Sequence, residues 1–276
     1  MRKTQVIAGV SLLVCVPAWS ASFDCLIEPT QAIDLSSPVA GLLDKVYVRR
    51  GDRVAKGQVL AMLESQAEQA ATELARYKSQ ANGPTVTAEN KIEFSKRKFL
   101  RRMQMAAENL MSTQDRDDAE AEYKLAEAEL LAAKENKQIA HLEYQHQNSL
   151  LALRTIRSPF DGVVADQLLY SGEVVEPTGS KKTILKLAQL DPLRVHVILP
   201  MAAFRKVILG MNVQVNPELP IGGSYSAKVR IVDKLIDAAS GTFAAFLEMR
   251  NPQLSIPVGV KCKAEFPISL DAKPAQ

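Results

Sequence analysis

Two stretches of the chain, far apart in the sequence, share one pattern of apolar residues and turn residues. The segment Ser-Pro-Val-Ala-Gly-Leu-Leu at 37–43 recurs as Ser-Pro-Phe-Asp-Gly-Val-Val at 158–164, and the same offset aligns Gly51 with Gly172. Each copy predicts short strands joined by turns in which glycine permits a sharp change of direction. Because each half alone is too small to bury its apolar face, we expect the two halves to pack as one flattened, lipoyl-like β-sandwich.

The stretch between the copies has a different pattern. Residues 65–153 are rich in Ala, Glu, Gln, Lys and Leu, which favour helix. Their apolar positions alternate spacings of four and three, as in a coiled coil. The longest such run is Ala119, Tyr123, Ala126, Leu130, Ala133, Lys137, Ala140, Tyr144, Gln147 and Leu151. Two shorter runs precede it and are out of phase: Leu63, Ala67, Ala70, Leu74, Tyr77 and Ala81, then Ile92, Lys96, Phe99, Met103, Ala106 and Leu110.

The helical stretch should be interrupted twice. Asn82-Gly83-Pro84 separates the two shorter runs, and proline inside a helix removes a hydrogen bond, so a break is predicted near 82–86. A turn is predicted near 110–113, where Ser112 can cap the following helix over Asp115. The Ala-rich faces let helices approach closely, so we expect an antiparallel coiled-coil hairpin whose second helix extends roughly 57 Å.

From residue 190 onward, apolar and polar residues alternate with the period of β-strands. Five short runs separated by turns predict a small antiparallel β-barrel. Residues 23–35 precede the first repeat copy and have nothing else to pair with, and pairing them with the final strand closes the barrel and brings Cys25 near Cys262. A disulfide between these cysteines is the predicted outcome, and two buried free thiols are the alternative.

These patterns together predict an elongated α+β chain in which the helical hairpin is inserted in a split sandwich. The predicted division is a signal peptide at 1–20, a β-barrel at 21–36 and 190–268, a lipoyl-like unit at 37–64 and 154–189, the hairpin at 65–153 and a tail at 269–276.

The first twenty residues have the features of a secretory signal peptide. A basic start precedes an apolar run at 6–16 that is too short to span a bilayer, and Ala18 and Ser20 place small residues at a cleavage site. An uncleaved N-terminal anchor is the alternative. Val14 stands where a lipoprotein signal needs a small residue before Cys15, so no lipid attachment is expected. The cleaved chain is therefore expected in the periplasm.

Composition argues against several classes of function. Lys and Arg (34) nearly balance Asp and Glu (31) and form no long run, which disfavours nucleic-acid binding. No arrangement typical of a catalytic triad, metal site or phosphate loop includes the three histidines, so neither an enzyme nor a cofactor is predicted. A biotin or lipoyl carrier is disfavoured because the helical insertion replaces the hairpin that would present the modified lysine. Copper binding by Met103, Met105 and Met111 is less expected than packing.

The order of these units resembles the membrane fusion proteins of the haemolysin-D type, the periplasmic adaptors of tripartite efflux pumps. Both Ser-Pro-x-x-Gly segments match the family's lipoyl-like domain. The segment Asp-Ala-Ala-Ser-Gly-Thr-Phe at 237–243 is similar to the barrel signature of the resistance-nodulation-division branch. At the hairpin tip, Arg101, Met105 and Ser112 match the positions with which the family contacts an outer-membrane channel, with Met in place of Leu.

The resemblance implies an adaptor without catalytic activity, peripheral to the inner membrane. Its implied partners are an inner-membrane transporter, with the resistance-nodulation-division type favoured, and a TolC-type outer-membrane channel, the adaptor itself forming a hexamer. An ABC-type exporter, a secretion system or a metal-efflux pump are the alternatives. The chain ends soon after the last barrel strand, so the family's membrane-proximal domain is expected to be absent.

Overall fold

The computed structural model of the protein describes residues 21–179 and 182–269. The predicted signal peptide and residues 270–276 of the predicted tail lie outside the described residues. The helices are α1 (Gln66–Gln80), α2 (Gly83–Ala107) and α3 (Thr113–Ala152), and a 3-10 turn spans Met201–Ala203. The strands are β1 (Ala21–Ser36), β2 (Gly41–Val46), β3 (Arg53–Val54), β4 (Val59–Leu63), β5 (Thr155–Arg157), β6 (Gly162–Gln167), β7 (Val174–Val175), β8 (Thr183–Pro200), β9 (Asn212–Pro217), β10 (Tyr225–Val232), β11 (Thr242–Met249) and β12 (Lys261–Phe266).

Six of the described strands close into a small antiparallel barrel. Their order is β1-β12-β9-β10-β11-β8, and β8 pairs again with β1, so that within these strands no edge is left open. Phe243 and Leu247, on alternate positions of β11, are buried inside, as the two-residue period of a strand requires. The interior is one cluster of apolar side chains that includes Ile27, Val195 and Phe266. The predicted barrel is confirmed.

The two repeat copies pack around a second apolar cluster. Leu43 and Leu60 from the first copy and Val164 and Ile184 from the second are all buried in it. A four-stranded sheet of order β5-β4-β2-β7 interleaves the copies, because β7 of the second copy pairs with β2 of the first. The repeat therefore does form a sandwich, with neither copy complete without the other.

Matching residues of the two copies exchange matching hydrogen bonds. Leu43 exchanges two backbone hydrogen bonds with the turn at 172–173, of 2.8 and 2.7 Å. At the equivalent position, Val164 exchanges two with the turn at 51–52, of 2.9 and 2.8 Å. The glycine that opens each turn has a φ of 93° or 92°, a conformation that a side chain would strain. The repeat in the sequence is thus a pseudo-twofold repeat in the structure.

Two long strands join the barrel to the sandwich. The N-terminal part of β1 contributes Ile27 to the barrel cluster, whereas its C-terminal part packs Ile33 and Leu35 on the sandwich cluster. β8 likewise runs from Leu185 in the sandwich to Leu199 in the barrel, and it pairs with β1 along both parts. Because the two strands are continuous, the barrel and the sandwich are held in one fixed order along them.

The three helices form an arm that leaves the sandwich and returns to it. α1 and α2 both pack against α3. Lys91 on α2 pairs with Glu129 on α3, and Lys98 pairs with Glu122, both at 2.6 Å. Because positions rise along α2 while their partners fall along α3, the helices are antiparallel. With 40 residues, α3 extends about 60 Å at 1.5 Å per residue.

The interruption of the arm lies between α1 and α2. α1 ends at Gln80 and α2 begins at Gly83, so Pro84 occupies the first turn of α2, where its missing N–H costs no hydrogen bond. Asn82 Oδ1 accepts a 2.7 Å hydrogen bond from Lys137 Nζ on α3, which fixes the junction against the long helix. No helix among the described residues has the length and apolar character needed to cross a bilayer.

The contact face of α3 follows the predicted run. Every member of that run is buried or half-buried except Lys137, which instead makes the bond to Asn82. The fully buried members are the small residues Ala119 and Ala126.

The predicted faces of the two shorter helices are wrong in part. Leu74 and Tyr77, predicted on the α1 contact face, are exposed, whereas Thr72 and Ala75 are buried. On α2, Ala88 and Ser95 are the buried residues, and the predicted Lys96 is exposed; Met103 on α2 and Leu110 in the turn after it are exposed as well. Small side chains occupy the contact face because helices that approach each other closely leave no room for large ones.

Candidate functional site: the hairpin tip

The end of the arm farthest from the sandwich is the turn between α2 and α3, and the three predicted contact residues lie there. Arg101 and Met105 are in the last two turns of α2, and Ser112 immediately precedes α3. Arg101 and Ser112 are exposed and Met105 is half-buried. The structure therefore brings the three residues to one end of the arm.

The turn is shaped by how α2 ends. Leu110 N donates to Met105 O (2.9 Å) and Asn109 N to Ala106 O (3.1 Å), the pair of hydrogen bonds of a Schellman motif. Asn109 supplies the left-handed residue with a φ of 58°. Asparagine tolerates this conformation better than most residues, so its position just after a helical run was a signal that the sequence reasoning missed.

Ser112 caps α3 as expected. Its Oγ accepts from Asp115 N at 3.2 Å and donates to Asp115 Oδ2 at 2.6 Å. A serine hydroxyl has one proton to donate, so toward a partner it can act only as an acceptor while this bond persists. Ser112 can therefore offer a partner protein only a hydrogen-bond acceptor, whereas Arg101 can offer donors.

A cationic cleft of about 440 Å³ opens beside the tip. Its lining is Phe94, Arg97, Lys98, Arg101, Arg102, Met105 and Met111.

Most of the cations of the cleft already have partners. Lys98 pairs with Glu122, and this hydrogen bond lowers the pKa of the Glu122 carboxyl from its usual range. Arg102 donates to Asp115 O (3.1 Å), which ties α2 to the start of α3. Within the described residues Arg101 makes no ion pair or hydrogen bond, so its five donors are free for a partner. Arg102 was not singled out from the sequence, because nothing in the spacing indicates its bond.

Exposed apolar side chains surround this free cation. Leu110 at the apex is 67% exposed, and Phe94, Leu100 and Met103 on α2 are also exposed. Large apolar residues combined with an arginine are typical of the central contacts of protein interfaces. The tip can therefore bind a protein surface that offers apolar groups and hydrogen-bond acceptors.

The base of the arm is fastened to the sandwich by a different arginine. Arg154, just after α3, pairs with Glu68 on α1 and donates to Ala40 O at 3.1 Å. These contacts join the two ends of the arm to each other and to the first repeat copy.

The two cysteines that were predicted to form a disulfide lie in the barrel. Cys25 on β1 and Cys262 on β12 are directly opposite each other and are joined by a disulfide. The bond crosslinks the strand that enters the barrel to the one that leaves it. Within the described residues, no cluster of His, Cys, Asp and Glu has the arrangement of a metal site.

Comparison with known proteins identifies the fold. The CzcB-like, barrel-sandwich hybrid domain family matches residues 31–188, more than half of the chain. The chain belongs to this family. The match spans both repeat copies and the arm between them.

Relatives of this family member include export proteins. It is 25% identical to the macrolide export protein MacA of Yersinia pestis over 233 residues, which are 82% of this chain and 62% of MacA. It is 22% identical to the pyoverdine export membrane fusion protein PvdR of Pseudomonas aeruginosa over 253 residues, which are 83% of this chain and 64% of PvdR. The chain thus spans less than two thirds of the length of these relatives.

Comparison with solved structures finds the same fold. The crystal structure of MacA from Actinobacillus actinomycetemcomitans superposes with a TM-score of 0.74 at 22% identity, over 90% of this chain and 78% of that one. This superposition shows that the two chains share the fold. The interpretation of this family member as a membrane fusion protein is confirmed by the family match and its relatives, and so is the prediction that it is not an enzyme, because the named relatives are export proteins.

Proposed function

We propose that the protein is a periplasmic adaptor that links an inner-membrane transporter to a TolC-type outer-membrane channel for the efflux of small molecules. The observation that carries this proposal is the arm, about 60 Å long, whose tip exposes Leu110 and the unpaired Arg101. An arm of this length serves to reach across a distance, and an exposed apolar and cationic tip serves to bind at the end of it.

The division of labour follows the packing. The sandwich and barrel, each with an apolar core, form the rigid base, and the predicted domain boundaries assign 37–64 and 154–189 to the sandwich. The arm acts as a coiled coil in which α3 is the continuous helix and α1 and α2 share the opposite strand. A rigid base and a fixed arm seal and align a passage, while energy comes from the transporter.

Several copies side by side would enclose that passage. The resemblance to membrane fusion proteins implies a ring, and a hexamer is the state we propose, with sandwich and barrel rings stacked above the transporter. A cleaved signal peptide would deliver each copy to the periplasm, where the disulfide between Cys25 and Cys262 can form.

The transporter of this pump is proposed to be of the resistance-nodulation-division type, on the barrel segment at 237–243. The structure gives this segment a local role as well. Asp237 accepts hydrogen bonds from Ala239 N and Ser240 Oγ, both at 2.9 Å, which lower the pKa of its carboxyl. The segment therefore stabilises a turn of the barrel. The proposed transporter type rests on the resemblance of this segment to the family signature.

The proposal is tested by export in a strain that lacks the gene. Susceptibility to erythromycin, ethidium and zinc is measured with the wild-type chain, Arg101→Asp and Lys134→Asp. Lys134 is an exposed cation on α3, about 30 Å from the tip, and is the matched charge-reversal control. We expect Arg101→Asp to lose the protection that the wild type gives and Lys134→Asp to keep it.

Two results would count against the proposal. One is deletion of the gene without any increase in susceptibility. The other is full protection by Arg101→Asp at wild-type abundance, which would remove the tip from the function.

A further inference from the structure

The barrel has one end that points away from the sandwich. β1 begins there at Ala21, which pairs with Phe266 near the end of β12. β8 ends there at Pro200, opposite Thr242 at the start of β11. The loop at 201–211 and the loop at 233–241 therefore lie at this end, which we call the free end of the barrel.

Large apolar side chains project from both loops of the free end. Leu209 is 67% exposed and Leu235 is 87% exposed, and Ile208 beside the first is exposed too. Met211 N donates to Ile208 O (3.3 Å) and Gly210 has a φ of 82°, so Leu209 is a central residue of a β-turn. Leucine at the apex of a turn is a protruding side chain and not the floor of a groove.

Cations accompany these leucines. Arg205 and Lys206 lie on the first loop and Lys234 directly precedes Leu235. Within the described residues Arg205 and Lys234 make no ion pair, and Lys206 Nζ donates to Ser269 O at 2.8 Å. Of the two acidic residues of the second loop, Asp233 is half-buried and Asp237 accepts hydrogen bonds from its own turn. The exposed groups of the two loops are therefore mainly leucines and cations.

The path of the chain points in the same direction. Residues 1–20 connect to β1 at Ala21, at the free end, and their run at 6–16 is apolar. During secretion this run passes through the inner membrane, and it would remain there if it were not cleaved. Export across that membrane therefore ends at the terminus of the chain that lies at the free end of the barrel, and an uncleaved run would hold this end next to the inner membrane.

We propose that the free end of the barrel rests on an anionic lipid bilayer, with Leu209 and Leu235 inserted at the interface and Arg205 and Lys234 among the phosphates. Apolar side chains that enter the interface beside cations are the chemistry by which peripheral proteins hold such a surface. The inference rests on the proposed function for the orientation of the molecule, because it places the free end of the barrel on the inner membrane and the tip of the arm on the opposite side.

Binding to vesicles tests the inference without any pump. Vesicles of phosphatidylethanolamine and phosphatidylglycerol are compared with vesicles of phosphatidylcholine, using the full chain recovered from the cell envelope. We expect preference for the anionic vesicles, weakened by salt. The double variant Leu209→Ser, Leu235→Ser should lower the partition coefficient at least about tenfold.

The matched control is Leu219→Ser. Leu219 is 88% exposed and lies in the β9–β10 loop, which follows β9 at its opposite end. This variant removes an equally exposed leucine of the same barrel, and its binding to anionic vesicles should equal that of the wild type.

A second measurement separates the loops from the N-terminal segment. A polarity-sensitive dye is attached at Leu209→Cys or at Leu219→Cys in a Cys15→Ser background. Anionic vesicles should shift the emission to the blue at position 209 and leave it unchanged at 219, however the first twenty residues bind.

Each outcome decides the matter. Equal partitioning of the double variant and the wild type, together with no shift at 209, would overturn the inference. If the double variant loses export but binds vesicles normally, the free end contacts a protein instead, and the lipid proposal fails. Failure of the tip variants to affect export would count against the proposed function and leave the vesicle result standing.

Discussion

The sandwich and the arm are stabilised in different ways. The sandwich buries large side chains such as Leu43, Leu60 and Ile184, and its two copies exchange backbone hydrogen bonds. The arm buries mainly small residues, among them Ala75, Ala119 and Ala126, and adds ion pairs at its surface. A narrow contact face leaves most of each helix exposed. The difference explains how one chain can have a rigid base and, at the end of its arm, a surface that is free to bind.

The largest effect is expected from truncation in the sandwich. Leu43 is fully buried and receives contacts from both copies, so Leu43→Ala should lower the free energy of unfolding by about 2–5 kcal/mol. Leu125→Ala, at an exposed position of α3, should change it by less than about 0.5 kcal/mol. Denaturant unfolding of both variants gives the two values. If both variants lost a similar free energy of unfolding, the base and the arm would not differ in how they are stabilised.

A comparable or slightly smaller effect is expected from the disulfide of the barrel. It closes a loop with a sequence separation of 237, so its loss in the double variant Cys25→Ala, Cys262→Ala should cost about 2–4 kcal/mol. Unfolding monitored with the wild type in the presence and absence of a reductant provides the comparison. Mass spectrometry of the non-reduced protein should find no free thiol at either cysteine, and free thiols at both would refute the bond.

The arm should respond to added volume more than to lost volume. Ala126 is fully buried between helices, so Ala126→Leu should force them apart and cost about 1–3 kcal/mol. Ala132→Leu, at an exposed position of the same helix, is the control and should be neutral. Thermal melting followed by the helical signal measures both. If the two variants melt alike, the close approach of the helices is not what holds the arm.

The smallest effect is expected at the cap of α3. Ser112→Ala removes the acceptor for Asp115 N and should cost about 1 kcal/mol, whereas Ser112→Asn keeps an acceptor and should cost little. Export by the two variants sharpens the role of Ser112. If it is only a cap, Ser112→Asn exports normally; if its hydroxyl binds the channel, both variants lose export.

The sandwich was predictable from the sequence because its signals are local and repeated. Gly51 and Gly172 occupy turns that require positive φ, and apolar residues alternate around them. The contact face of α1 was not predictable in the same way. Leu74 and Tyr77 satisfy the spacing of a contact face as well as Thr72 and Ala75 do, and only the distance of closest approach selects the smaller pair.

At the tip, too, some individual hydrogen bonds could not be predicted from the sequence. The cap at Ser112 has a sequence signature, whereas the bond from Arg102 to Asp115 O depends on how two helices meet and has none. The sequence therefore indicated where the tip is but could not indicate that Arg101, and not Arg102, is the free arginine.

Crosslinking at the tip in living cells tests the central claim most directly. A photoreactive amino acid is placed at position 110, the exposed apex, or at position 134 on the side of the arm. The account predicts an adduct between position 110 and an outer-membrane channel, and none from position 134. The absence of any adduct with an outer-membrane protein at 110, or equal adducts from both positions, would contradict it.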